Sequence, residues 1–279
     1  MTARISKPDP GALLRKLHRP GDPFILANAW DEGSARMLAA LGARAIGTSS
    51  AAHAFTLGLA DGRVGRDAAL AHAEALVAAT PLPVSGDFEN GFADDPEGVA
   101  ETVRLAAETG LGGISVEDTK AGGGHYDAAL AVERIRAAAA AARALNGDFV
   151  LVARADGVMN GTYGMAEALA RIRAFDAAGA DCLYVPLPPS AEDLAAVCRA
   201  TAKPVNALAA GTFTRLTRAD FAKLGVARIS LGSSLARVTH RAIRDAALAM
   251  FGARGDFSPL GQGMPGSEVD GLLTRGAGG

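Results

Sequence analysis

Two short stretches hold the residues best suited to chemistry: Asp87 and Glu89 in PVSGDFENGF, and Glu117 in GGISVED. If both stretches are strands, the side-chain period of two puts Asp87 and Glu89 on one side. Glu117 then ends the neighbouring strand. Three carboxylates brought together would repel one another unless a cation held them. Oxygen-only ligation by few carboxylates points to Mg2+, or Mn2+ in its place, with waters completing the octahedron. A single such carboxylate more commonly caps a helix or pairs with a surface cation. Three on adjacent strand ends favour the metal.

Elements that could position these residues recur along the whole chain. Apolar runs at 24–29, 43–49, 82–89, 112–118, 149–156, 182–188, 204–209 and 226–232 alternate with helical patterns. Eight is the number of parallel strands that closes a (β/α)8 barrel, and helices on the outside explain why the runs are apolar on both faces. Helix signals support the alternation. Ser34 can cap SARMLAALG, Pro96 opens PEGVAETVRLAAETG, and Gly110 follows its end. The competing doubly wound sheet would need a glycine fingerprint after an early strand, and none is present. The expected organisation is a single barrel over residues 1–255. A Gly-rich tail over 256–279 is expected to be partly mobile or packed on a neighbour.

Composition narrows the function. The 279 residues are 49% hydrophobic with a net charge of −2, which supplies a core but not the basic footprint of a nucleic-acid binder. No run is long and apolar enough to span a membrane. The N-terminal stretch lacks the apolar segment of a secretory signal. Cys182 and Cys198 form no C-x-x-C pair, so a reduced, cytoplasmic setting is the default expectation. In a parallel barrel the chemistry belongs at the C-terminal strand ends. Polar residues gather there: Asn28, Ser49-Ser50, Asp87, Glu89, Glu117-Asp118, Arg154, Asp156, Asn206 and Ser233-Ser234. That asymmetry marks an enzyme.

In this order, NAWDEGSARMLAALGARAIGTSS, PVSGDFENGFADDPEGVAETV, GISVEDTK, LVARADG, KPVNAL and GVARISLGSSLAR resemble the isocitrate lyase/phosphoenolpyruvate mutase superfamily over nearly the whole chain. The resemblance implies a Mg2+-dependent barrel that makes or breaks C–C or P–C bonds in 2-oxo or 2-hydroxy acids. It also implies even-numbered homo-oligomers, dimers or tetramers, that exchange C-terminal helices. By position, Asp87, Glu89 and Glu117 match the family's metal carboxylates. Arg154 matches an arginine on the substrate carboxylate, although an ion pair with Asp156 or Glu117 is an equal alternative. Ser49, Ser50 and Ala51 match a loop that holds the oxo acid. Trp30 lies on the neighbouring rim, and Asn206 ends a strand among the substrate contacts. Asp61 matches an aspartate near the reaction centre, or is an ordinary turn residue before Gly62.

One departure separates subclasses. Where the C–C lyases of isocitrate and methylisocitrate carry K-[KR]-C-G-H, this chain reads TKAGGGHYD, so Gly123 replaces the cysteine that protonates the product. His125 and Tyr126 are left as candidate proton donors. His53 falls on the loop near Asp61, and His72 on the outer face of a helix. P–C enzymes carry a longer loop with Lys and Asn at this point; this chain has Thr119 and Lys120 but no such Asn. The expected activity is a Mg2+-dependent lyase of oxaloacetate-decarboxylase type, acting through an enolate on a small carboxylic acid. Phosphonate chemistry and a non-catalytic oxo-acid-binding barrel are the alternatives.

Overall fold

The computed structural model describes residues 9–278. Residues 1–8, which begin the stretch expected to carry no secretory signal, and residue 279 lie outside it. Eight strands run parallel: β1 (Phe24–Asn28), β2 (Ala45–Gly47), β3 (Val84–Asp87), β4 (Gly113–Glu117), β5 (Val150–Arg154), β6 (Cys182–Tyr184), β7 (Val205–Leu208) and β8 (Arg228–Ser230). They pair in chain order and β8 closes on β1 through Phe24↔Arg228, giving the (β/α)8 barrel. The helices are α1 (Pro10–Leu17), α2 (Glu32–Ala40), α3 (Ser50–Thr56), α4 (Arg66–Ala79), α5 (Pro96–Glu108), α6 (Ala128–Arg143), α7 (Met165–Ala177), α8 (Ala191–Arg199), α9 (Arg218–Lys223), α10 (Ser234–Met250) and α11 (Gly266–Gly276).

All eight expected strands are present, each trimmed at its ends. The trimming matters at β3, which stops at Asp87. Glu89 sits beyond it with φ +46°. A non-glycine residue in that left-handed region stores strain of about 1–3 kcal/mol, which the surrounding structure must offset. Strand alternation therefore does not carry Glu89 to Asp87's side, contrary to the reading from periodicity; a turn does.

Small residues let the layers approach. In β4, a side chain at Gly113 would place its Cβ 2.1 Å from the carbonyl oxygen of Val150 on β5. The main core lies between sheet and helices, where Ile114, Leu151, Ala138 and Phe175 are fully or almost fully buried. A second cluster fills the lower interior of the barrel with Phe24, Leu26, Val150, Val152 and Cys182. Helix α1, which the apolar pattern did not bring out, plugs that end with Leu14 and is capped by Asp9.

The tail is more structured than its glycines suggest. Helix α11 packs on α2 of its own chain, with Leu272 buried. A Cβ on Gly276 would lie 1.9 Å from the Arg36 carbonyl oxygen, so glycine is what permits that approach. Helix α10 instead exposes Val238, Ile243 and Leu248, followed by exposed Phe251, Phe257 and Leu260. Among the described residues, no helix is long and apolar enough to cross a membrane.

Candidate active site

The β3 carboxylate is held from several sides. The backbone N–H and Oγ of Ser50 both donate to Asp87 Oδ2, at 3.0 and 2.9 Å, and Ser115 Oγ donates to Oδ1 at 3.3 Å. Ser49 caps α3, accepting from Ala52 N–H, and so points the start of this helix at Asp87. Neither α3 nor its aim was foreseen, because seven residues with one apolar face read as a loop.

Arg154, at the end of β5, ties the acids together. Its Nη1 donates to Asp87 at 2.8 Å, while Nη2 lies 2.6 Å from Asp156 and 3.0 Å from Glu117. Nε also donates to Asp156, at 3.1 Å. One fork thus serves three carboxylates, in agreement with the ion-pair alternative for this residue.

Two adjoining cavities open at this web. The outer one, about 270 Å3, is lined by Asp61, Glu89, Glu117, Lys120, Asn160 and other groups. The inner one, about 190 Å3, reaches into the barrel past Ser49, Ala51, Asp87, Asn206 and Arg228. Ser50, Asp61, Arg154 and Met159 line both. Trp30 lines neither; its carbonyl accepts a hydrogen bond from His72 Nε2 at 3.0 Å.

His125, expected as a catalytic candidate, also lines neither cavity. Thr119 and His125 pair as an antiparallel bridge that folds the loop into a small hairpin. The bridge turns the imidazole onto Tyr163, ring centroids 5.0 Å apart, and leaves Lys120, Ala121 and Gly122 facing the cavity. Tyr126 is likewise committed elsewhere. Its hydroxyl donates to Asp94 at 2.5 Å and accepts from Asn90 at 2.9 Å. His72 is not on an outer face but stacks on His53, centroids 3.7 Å apart, and burial with the neighbouring ring lowers it to about 4.

Two further contributors carried no assigned role in the sequence: Asp118, counted only among the polar residues at the mouth, and Arg228. Asp118 is buried, accepts from the Asp156 backbone N–H and from Tyr163 Oη at 2.9 and 2.6 Å, and so anchors the loop after β5. Arg228 left a fainter signal: an arginine two residues before Ser230 on an inward-facing period.

The site carries more negative charge than its cations offset. Asp61, Asp87, Glu89, Glu117 and Asp156, five acids, face three cations, Arg154, Lys120 and Arg228. Burial, then Asp87, raises Asp61; burial, then Asp87 and Asp61, raises Glu89 to about 7. Burial pushes Glu117 well above the usual carboxylate range, against the pull of Arg154. Arg154 itself is held well above the ordinary arginine range by Asp156, Glu117 and Asp87, although burial opposes its charge. Among the described residues no three acidic, His or Cys side chains converge closely enough to chelate a metal directly. The donor set nevertheless fits a hard divalent cation: only oxygens, a surplus of negative charge, and room for bridging waters.

A proton on Glu89 competes with such a cation, which sets a pH dependence. Because folding raises this carboxyl above its ordinary value near 4.5, the stability it contributes without metal is full below about 4.5. That contribution is lost as pH rises through about 7. We expect the melting temperature without metal to fall across this window. Added Mg2+ should stabilise increasingly towards pH 7, and Glu89→Gln should flatten both trends. Thermal melts from pH 5 to 8 with EDTA or Mg2+ check this; a wild-type profile unchanged by Glu89→Gln would contradict it.

A closed parallel barrel with acids, an arginine and cavities at its C-terminal strand ends has the layout of a barrel enzyme. The chain belongs to the phosphoenolpyruvate phosphomutase family, whose pattern matches residues 14–251, within the isocitrate lyase/phosphoenolpyruvate mutase superfamily. An uncharacterised protein of Mycobacterium tuberculosis is 36% identical over 267 residues, 92% of this chain and 95% of that protein. An oxaloacetate decarboxylase of Paraburkholderia xenovorans is 32% identical over 205 residues, 69% of this chain and 66% of that protein. A crystal structure of a Burkholderia cenocepacia J2315 protein superposes with TM-score 0.89 at 43% identity, covering 94% of this chain and 95% of that one. The superfamily comprises lyases and phosphonomutases, and this chain is an enzyme of it.

Proposed function

We propose that this enzyme is a Mg2+-dependent lyase that breaks a C–C bond in a small 2-oxo or 2-hydroxy acid, in the manner of an oxaloacetate decarboxylase. The observation that carries the reading is the surplus of carboxylates around two adjoining cavities of small-molecule size. Asp87, Glu89 and Glu117 would hold the metal. Bound there, Mg2+ supplies Lewis-acid stabilisation of the negative charge that builds on substrate oxygen as the bond breaks.

The chain's own groups do the rest. Ser50 fixes Asp87 through two hydrogen bonds and lines both cavities. Arg154 keeps the acids in register through its bonds to Asp87, Glu117 and Asp156. Asp61, raised by burial and by Asp87, faces both cavities and can hold a proton for the product carbon. Decarboxylation needs no strong protein acid while the bond breaks, which accommodates Gly123 in place of the lyase cysteine. The similarity to an oxaloacetate decarboxylase supports the same reading.

Phosphonate chemistry is favoured by one feature, the presence of both Lys120 and Asn160 in the outer cavity lining, where they suit a phosphoryl group. Oxaloacetate, 2-hydroxy diacids and phosphonopyruvate, each incubated with Mg2+ or EDTA, separate the readings. Metal-dependent pyruvate formation from oxaloacetate is expected. Turnover of phosphonopyruvate alone would overturn the C–C assignment. We further propose that the exposed apolar face of α10 supports assembly into a homo-oligomer.

A further inference from the structure

Arg228 is the unexplained cation of this barrel. It begins β8, points inward, and is only 5% exposed, yet it lines the inner cavity. Its single hydrogen bond runs from Nη1 to Ser85 Oγ across the interior, at 3.3 Å, and its buried Nε–H has no partner among the described residues. No carboxylate pairs with it there. Arg154, by contrast, spends its fork on Asp87, Glu117 and Asp156.

Among the described residues, the counter-charge that reaches Arg228 is Asp87, which lines the same cavity without pairing with it. Burial pushes the Cys182 thiol up to about 12, so it is neutral. Burial also raises the Tyr184 phenol. Burial and then Arg228 itself lower His18 to about 3. A guanidinium stays protonated in such surroundings, and a buried charge without a partner is costly. Beside it, Asn206 donates Nδ2–H to Ser230 Oγ at 2.9 Å, while its buried Oδ1 has no partner. A half-turn of that amide lets Oδ1 accept from Ser230 and turns its N–H groups to the cavity.

We propose that Arg228, with Ser85 and Asn206, is an anion subsite on the cavity floor that takes a carboxylate of the substrate. This rests on the 2-oxo-acid reading above and gives it a direction. A cation bonded to a carboxylate stabilises its charge and so opposes its loss as CO2. The group held at Arg228 is therefore the one retained. The reacting bond lies at the opposite end, beneath Asp61 and Lys120.

Pyruvate and its neutral isostere pyruvamide, titrated calorimetrically into Mg2+-loaded wild type, Arg228→Met and Arg228→Lys, test the subsite. Arg228→Met should weaken pyruvate by about 10- to 100-fold and leave pyruvamide within about threefold, with Arg228→Lys intermediate. Unchanged pyruvate affinity, or equal loss for both ligands, overturns the assignment. Wild-type crystals soaked with Mg2+ and pyruvate give a check that needs no variant. A carboxylate oxygen is expected within hydrogen-bond distance of Arg228, and pyruvate bound with its carboxylate elsewhere overturns the proposal. Neither measurement involves turnover, so a protein that binds pyruvate at Arg228 but cleaves no 2-oxo acid refutes the lyase reading alone.

Discussion

Asp87→Asn should remove metal-dependent turnover by on the order of 10^3-fold or more while leaving the protein folded. The two halves of this expectation have the same cause. Asp87 is the one proposed metal carboxylate that lines the inner cavity, and it receives Ser50 through two bonds. An amide keeps an acceptor for Ser50 but loses the charge a cation needs. The same change relieves repulsion, since Asp87 raises Asp61, Glu89 and Glu117. Stability without metal should therefore change little, because the relieved repulsion offsets the lost Arg154–Asp87 ion pair. Steady-state kinetics over a Mg2+ titration, beside urea unfolding in EDTA, measure both. Retained Mg2+-dependent activity would sink the site assignment.

Arg154→Met, by contrast, should lower stability. It leaves Asp87, Glu117 and Asp156, all at most one-fifth exposed, without the guanidinium that touches each of them. Breaking a buried ion pair by deleting one partner costs about 3–5 kcal/mol. Here repulsion among the remaining acids pulls the same way, although protonation of Glu117 offsets part of the loss. Saturating Mg2+ should restore a good share of the stability by supplying the missing positive charge. Urea unfolding with EDTA and with Mg2+ separates the two contributions. An Arg154→Met protein as stable as wild type in EDTA would mean that the web holds nothing together.

Much of this barrel was legible in the sequence because its signals are local. Apolar runs bounded by glycine turns located all eight strands, and the polar residues at their ends located the mouth. What escaped depends on contacts between segments distant in the chain. The reach of β3 to Glu89 was misread because a left-handed turn at that residue leaves no mark in hydrophobic periodicity. His125 was placed near the chemistry by its position after Gly123-Gly124. Its pairing with Thr119 is what turns it towards Tyr163 instead. Helix α1 carried a legible Asp9-Pro10 start and an apolar face in Leu13, Leu14 and Leu17, but its eight residues precede the first strand and fall outside the strand–helix alternation. Arg228 was overlooked for a physical reason: a charge inside an apolar strand is improbable until the opposing Ser85 and the cavity above it are known.

The central claim is that the acids at the ends of β3 and β4 hold a divalent cation. Anomalous diffraction from crystals soaked in Mn2+ tests it most directly. One strong peak is expected among Asp87, Glu89 and Glu117, bonded directly or through water, and reduced when excess Mg2+ is present. A mouth without a peak at saturating Mn2+, with Arg154 still bonded to Asp87 and Glu117, would contradict the account.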